Sequence, residues 1–313
     1  MAGKWNIHPQ YTLTLARQAL KAFPSMSKDD ARTFVMRQVV RTMPTGSVDV
    51  MTVLDELQFH GAGRNVLFLE SGRLAEMLLK ARIRLDGTPL KLPRESFSVA
   101  LPSDSGLPPF MVCRLTNEIR RKVAARLEKI IETGVDRLDA PHDHAVAICT
   151  RVDKGEYGRL SIPVEMMSAV AEADTVESAS KILGTYPGGL VLSAEHMAVL
   201  LKQFRLLCAL CVYVEARPEM LVDGLPSTVA PGDFPDRTTT SGPRTGMTIR
   251  EPAGLGTAGG SKSTHFRTWY FRRYPRKKDG TRKDGMVFVE ETVVNEVITP
   301  ETLKEDNEQG NDS

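Results

Sequence analysis

From Ser193 to about Glu215 the chain reads as one long helix, capped by Ser193 and passing through Leu206-Leu207-Cys208-Ala209-Leu210-Cys211-Val212. Near its end it is apolar on most sides. A helix with no wet face has to be enclosed, so this segment is expected at the centre of the core. At 313 residues the chain is long enough to enclose it without disulfides.

The first part of the chain carries helix signals. Tyr11 to Phe23 stops at Pro24, and Ser27 with Asp30 three residues on resembles a capping box for a helix over Lys28 to Thr42. Ser47 is placed to cap a third helix to about Phe59, and Ser71 a fourth to about Arg84. From Ser96 the pattern alternates instead, and Ser96–Leu101 and Phe110–Leu115 read as strands around a Ser/Gly/Pro turn. Asn117 to Thr133 reads as a helix, Ala145–Val152 and Leu160–Val164 as strands, and Thr175–Leu183 as a short helix. The fold class expected is α+β, a helical N-terminal layer packed on a mixed, mainly antiparallel sheet that a C-terminal hairpin completes. The division that goes with it is a helical region over 1–92, an α+β core over 93–222, a flexible linker over 223–262, a basic and aromatic hairpin over 263–298, and an acidic disordered tail over 299–313.

A net charge of +2 is too mild to mark the whole protein as a nucleic-acid binder. Four sparse cysteines in apolar surroundings suit reduced thiols, no secretory signal opens the sequence, and no uninterrupted apolar stretch has the length of a membrane span. A soluble, cytoplasmic protein is expected, without membrane contact.

Several residues invite chemistry and then fail to complete it. His142 and His144 offer two imidazoles but no further ligand at a metal-site spacing, which leaves a solvated turn before a strand. Cys208-x-x-Cys211 has a zinc or redox spacing inside an apolar helix, where core thiols are the simpler reading. Gly254 and Gly259 have the separation of the phosphate-loop glycines, yet Gly260 stands where the essential lysine belongs. No catalytic residue, metal or cofactor is assigned.

The strongest functional signal lies between Ser263 and Lys278, where Arg and Lys interleave with aromatics. Charge for phosphates and ring faces for bases are what a flexible nucleic acid requires of a protein. As one strand, His265, Arg267, Trp269, Phe271 and Arg273 would share one face and Phe266, Thr268, Tyr270, Arg272 and Tyr274 the other, so neither face is purely apolar. The assigned contact residues are His265, Arg267, Trp269, Tyr270, Arg272, Arg273, Arg276, Lys277 and Lys278. The same composition also suits a structural strand whose arginine stems cover its rings.

Three stretches carry a resemblance. His265-x-Arg267, the Tyr270-Phe271 pair and the returning Val287-Phe288-Val289 resemble the C-terminal His-x-Arg-x-x-His-Trp segment of a broad phage and plasmid protein family that includes a type V-A anti-CRISPR protein. Ser96 to Pro102, and Leu206 to Glu215 continuing to Gly224-Leu225-Pro226, are similar in order and character. Tyr270 stands where the family has histidine and Arg272 where a further histidine is expected, so roles that need those imidazoles do not carry over. The resemblance implies a mobile-element protein that acts on translation or on a host defence factor. Joined to the cassette it gives the leading reading, an anti-CRISPR-like regulator that binds RNA or a translating ribosome and its nascent chain to repress a host defence factor. A protein-interaction module without nucleic-acid contact is the second reading. A nuclease built on His265, His142 or His144 is the third, and it requires those histidines to converge.

Overall fold

The computed structural model describes residues 5–44, 47–63, 65–81, 83, 90–132, 144–152, 156–173, 175–184, 193–226 and 246–251, together with the strands at 265–266, 270–273, 286–289 and 293–294. In chain order the elements begin with β1 (Trp5–Asn6), α1 (Tyr11–Ala22), α2 (Lys28–Thr42), α3 (Val48–Gly61), β2 (Asn65–Leu69) and α4 (Gly72–Lys80). They continue with β3 (Ser96–Pro102), β4 (Phe110–Leu115), α5 (Asn117–Ile131), β5 (Ala145–Arg151), β6 (Tyr157–Pro163), α6 (Met167–Glu172), α7 (Val176–Gly184) and α8 (Ala194–Ala216). Last come β7 (Leu221–Asp223), β8 (Gly246–Ile249), β9 (His265–Phe266), β10 (Tyr270–Arg273), β11 (Met286–Val289) and β12 (Val293–Val294).

Hydroxyl caps start most of the longer helices. Ser27 accepts from the Asp30 amide, Ser47 from Val50, Ser71 from Leu74, Thr116 from Ile119 and Ser193 from His196. Each satisfies an amide that the first turn leaves without an intrahelical partner. Helix α1 differs, because its N-cap Gln10 makes no side-chain cap and the carboxylate of Glu56, on α3, takes the amides of Tyr11 and Thr12 instead.

The main sheet runs β6-β5-β4-β3-β2-β8-β7, with β1 pairing on the far end of β3. The ladders are antiparallel except at β2, which pairs in parallel with β3 and with β8. Helix α4 makes the crossover from β2 to β3. The fold is therefore α+β with a mixed, mainly antiparallel sheet, as expected.

Two strands lie where the sequence reading placed other things. β2 sits inside the region read as helical, and β8 inside the stretch 223–262 read as linker. Every residue of β2 is buried, and Met247, Thr248 and Ile249 of β8 are buried too. Strand β6 begins at Tyr157, three residues ahead of the Leu160 start expected from the sequence.

Strand alternation divides the core. Phe110 and Val112 of β4 and Val146 and Ile148 of β5 face the side occupied by α8, whereas Met111, Cys113, Ala147 and Cys149 face the side occupied by α3. Helix α3 lies against β3, β4 and β6 and is covered in turn by α1, α2 and α5. Helix α8 lies against β5 and β6 and is covered by α4, α6, α7 and β11. Both central helices are thus enclosed. By length and mean hydropathy α8 is apolar enough to cross a membrane, although Lys202 and Arg205 interrupt it; 67% of its most apolar window is buried inside the protein.

Candidate functional site

The hairpin expected at the C-terminus is present. Strand β10 pairs antiparallel with β11, Tyr270 opposite Val289 and Arg273 opposite Met286. Strand β9 pairs with β12, Phe266 opposite Val293 and His265 opposite Val294. The two ladders share one register, since four steps back from Tyr270 and four steps on from Val289 lead to Phe266 and Val293. One hairpin therefore accounts for both pairings. It forms two-stranded sheets of its own, while β7 and β8 complete the main sheet at that edge, and β11 runs along α8.

Among the assigned contact residues, His265 is placed on β9 and Tyr270, Arg272 and Arg273 on β10. Arg267, Trp269, Arg276, Lys277 and Lys278 lie outside the described residues, as do His142 and the glycines from Gly254 to Gly260. His144 is exposed at the start of β5. Cys208 and Cys211 are buried free thiols in α8, and burial raises both pKa values, that of Cys211 to about 12. Neither is suited to act as a thiolate near neutral pH. Among the described residues no group of three His, Cys, Asp or Glu side chains is gathered as a metal would need.

A second polar assembly lies under α3 and escaped the sequence reading. Arg159 on β6 makes a two-pronged contact with Asp55, Nε to Oδ2 at 2.6 Å and Nη2 to Oδ1 at 3.3 Å, with both side chains under 5% exposed. Burial works against the charge on Arg159, and Asp55 more than offsets it, so the guanidinium pKa moves up. Next to Asp55, Glu56 is fully buried and accepts from the Thr12 amide at 3.0 Å and the Thr12 hydroxyl at 2.6 Å. Arg32 Nε donates to that same hydroxyl at 3.1 Å. Burial raises the Glu56 pKa against the pull of these hydrogen bonds.

The N-terminal segment seals this assembly. The Tyr11 hydroxyl donates to Asp49 at 2.6 Å and that of Tyr157 to the Pro9 carbonyl at 3.0 Å. His8 is buried edge-on to the Tyr157 ring, with ring centroids 6.2 Å apart. Burial lowers its pKa to about 4, the Pro109 carbonyl pulling weakly the other way. Two adjacent acids set between Val53-Leu54 and Leu57, Asp55 and Glu56, were the available sequence signal, because such residues go inside only with partners.

The assembly is packed solid. A cavity bordering it between α3 and α5, lined by Met51, Leu54, Asp55, Gln58, Leu115, Arg120 and Val123, has a volume of about 10 Å³, no more than a water needs. The arrangement fixes α1, α3 and β6 to one another and leaves no room for a substrate there.

No family model, no curated protein and no solved structure matches this chain.

Proposed function

We propose that the protein is a non-enzymatic regulator encoded by a mobile element, which binds RNA, or a translating ribosome with its nascent chain, through the C-terminal hairpin and so represses a host defence factor. The observation that carries this reading is the interleaving of Arg, Lys and aromatic residues in the sequence between His265 and Lys278, which supplies strands β9 and β10, both in two-stranded sheets apart from the main one. In this reading Arg267, Arg272, Arg273, Arg276, Lys277 and Lys278 meet phosphates, Trp269 and Tyr270 stack on bases, and His265 orients the site or hydrogen-bonds a base. The resemblance to the phage and plasmid family, carried by His265-x-Arg267 and Val287–Val289, supplies the mobile-element context.

Crosslinking to RNA in cells tests it. The wild type is compared with an Arg267→Ala, Trp269→Ala, Arg272→Ala variant shown by circular dichroism to be folded. The expected result is an RNA set enriched with the wild type and lost with the variant. If neither protein crosslinks, direct RNA contact is wrong, and the protein-interaction reading takes its place.

A further inference from the structure

Helix α5 contributes little to the core for its length. Of its 15 residues, only Leu127 and Ile131 are buried. The rest of the helix is unusually cationic, with Arg120, Arg121, Lys122, Arg126 and Lys129 against Glu118 and Glu128. Two acids on or beside its outer side are already engaged: Glu118 with Lys122 at 2.5 Å, and Glu132, just past the helix, with Arg37 of α2 at 3.8 Å. Arg121, Arg126 and Lys129 are exposed and make no ion pair among the described residues.

Their placement has structural support. Arg126 lies across Gly61, the last residue of α3, with Nη1 3.0 Å from where a Cβ would stand, so a side chain at 61 would crowd the guanidinium. Arg121 and Lys129 are two turns apart on the helix, roughly 12 Å along its axis. Between them the outward position is Ala125.

We infer that the outer side of α5 is a second phosphate-binding surface, which holds the backbone of single-stranded RNA without reading its sequence. Charge complementarity selects the occupant. Arg121, Arg126 and Lys129 present donors at spacings a flexible phosphodiester chain can follow, and the side offers neither an aromatic for stacking nor an apolar groove for a peptide anchor. An acidic protein segment needs such an anchor to bind with specificity, whereas a polyanion held by its charges does not.

This surface lies on the other side of the sheet from the hairpin, because α5 covers α3 while β11 covers α8. It is therefore a separate contact and not an extension of the cassette. The inference rests on the RNA reading of the protein.

The test measures binding of a labelled single-stranded RNA of about 30 nucleotides by fluorescence anisotropy across a salt series. Four forms of the full chain are compared: wild type; Arg121→Gln, Arg126→Gln, Lys129→Gln; the charge-retaining Arg121→Lys, Arg126→Lys; and the folded hairpin variant above. Each phosphate contact contributes about 0.7 to the slope of log affinity against log salt, so the glutamine variant should show a slope shallower by about 2. The lysine variant should keep the wild-type slope, and the hairpin variant should weaken binding independently.

A glutamine variant with the wild-type slope overturns the α5 surface and leaves the hairpin reading standing. A loss confined to the glutamine variant upholds α5 and removes the hairpin. If the wild type binds no RNA but binds polyglutamate through α5, both RNA assignments fall, and the surface belongs to an acidic protein.

Discussion

The two faces of the sheet solve the problem of a buried helix in opposite ways. Helix α8 is enclosed by hydrocarbon: Leu200, Leu201, Phe204, Leu206, Leu207 and Leu210 are all at most 1% exposed, and Gln203 is the polar exception, donating to the Pro108 carbonyl and the Thr150 hydroxyl. Helix α3 is enclosed as completely, yet brings Thr52, Asp55, Glu56 and Gln58 inside with it. One face is held by packing that tolerates many apolar neighbours; the other is held by partners that must be in one place. Polar burial adds little to net stability, but it fixes which element meets which.

Removing one partner on the polar face should have the largest effect. Asp55→Ala leaves Arg159 charged, buried and unpaired, and is expected to cost about 3–5 kcal/mol in urea unfolding. Replacing both, as Asp55→Leu with Arg159→Met, should recover most of that loss. Equal losses in the single and double variants would mean that the pair is not what organises this face. Leu207→Ala on the other face should cost about 2–5 kcal/mol. Combined with Asp55→Ala it should add to within about 0.5 kcal/mol if the two faces are independent.

Acidity sharpens the contrast next, because His8 and Glu56 both belong to the α3 face. The folded pKa of His8, about 4, is below its unfolded value of about 6.5, so between those values the unfolded chain binds more protons. Stability from His8 is complete above about pH 6.5 and is lost as the pH falls toward 4, by about 3 kcal/mol. Glu56 acts with the opposite sign. Its folded pKa is raised, so the folded chain holds that proton longer, and stability falls as pH rises past the ordinary carboxylate range. In unfolding curves from pH 7 to 4, His8→Phe should flatten the acid loss and Glu56→Gln should steepen it. If neither substitution changes the profile, the N-terminal seal is looser than its burial implies.

The smallest expected effects are at the helix caps. Thr116→Ala on α5 and Ser193→Ala on α8 should each cost about 1 kcal/mol, regardless of which face their helix serves. A much larger loss at Ser193 than at Thr116 would show that cap strength depends on what encloses the helix.

The faces also differ in how legible they were in the sequence. Helix α8 could be read from its own residues, because an unbroken apolar run has one physical outcome. The caps at Ser27, Ser47, Ser71 and Ser193 were legible for the same reason, since a cap and the amide it serves are neighbours in sequence. The polar assembly was not, because Arg159 lies 104 residues from Asp55 and nothing local to either announces the other. Nor were β2 and β8. A strand paired in parallel on both edges and buried on both faces loses the alternation that marks its antiparallel neighbours, so Val66-Leu67-Phe68-Leu69 resembles a fragment of core helix. Gly246-Met247-Thr248-Ile249 was hidden by the glycine, proline and threonine around it. At the candidate interface the hairpin and its partner strand were legible from composition, whereas Arg121, Arg126 and Lys129 of α5 resembled an ordinary solvated helix face until the helix's few buried residues were known.

The place of β8 beside β2 also sets a timetable for synthesis. Leu67 leaves the ribosome well over a hundred residues before Met247, its partner in the finished sheet. Throughout that interval β2 can pair with β3 but has an open row of backbone donors and acceptors on its other side, in a strand that is apolar at every position after Asn65. Nascent chains on one message would then carry matching open edges close together, and the strand that closes each is among the last to be made. Slow decoding between residues 70 and 246 lengthens the exposure, and a chain released before Gly246 never ends it. For this fold, completing translation is itself a protection against aggregation.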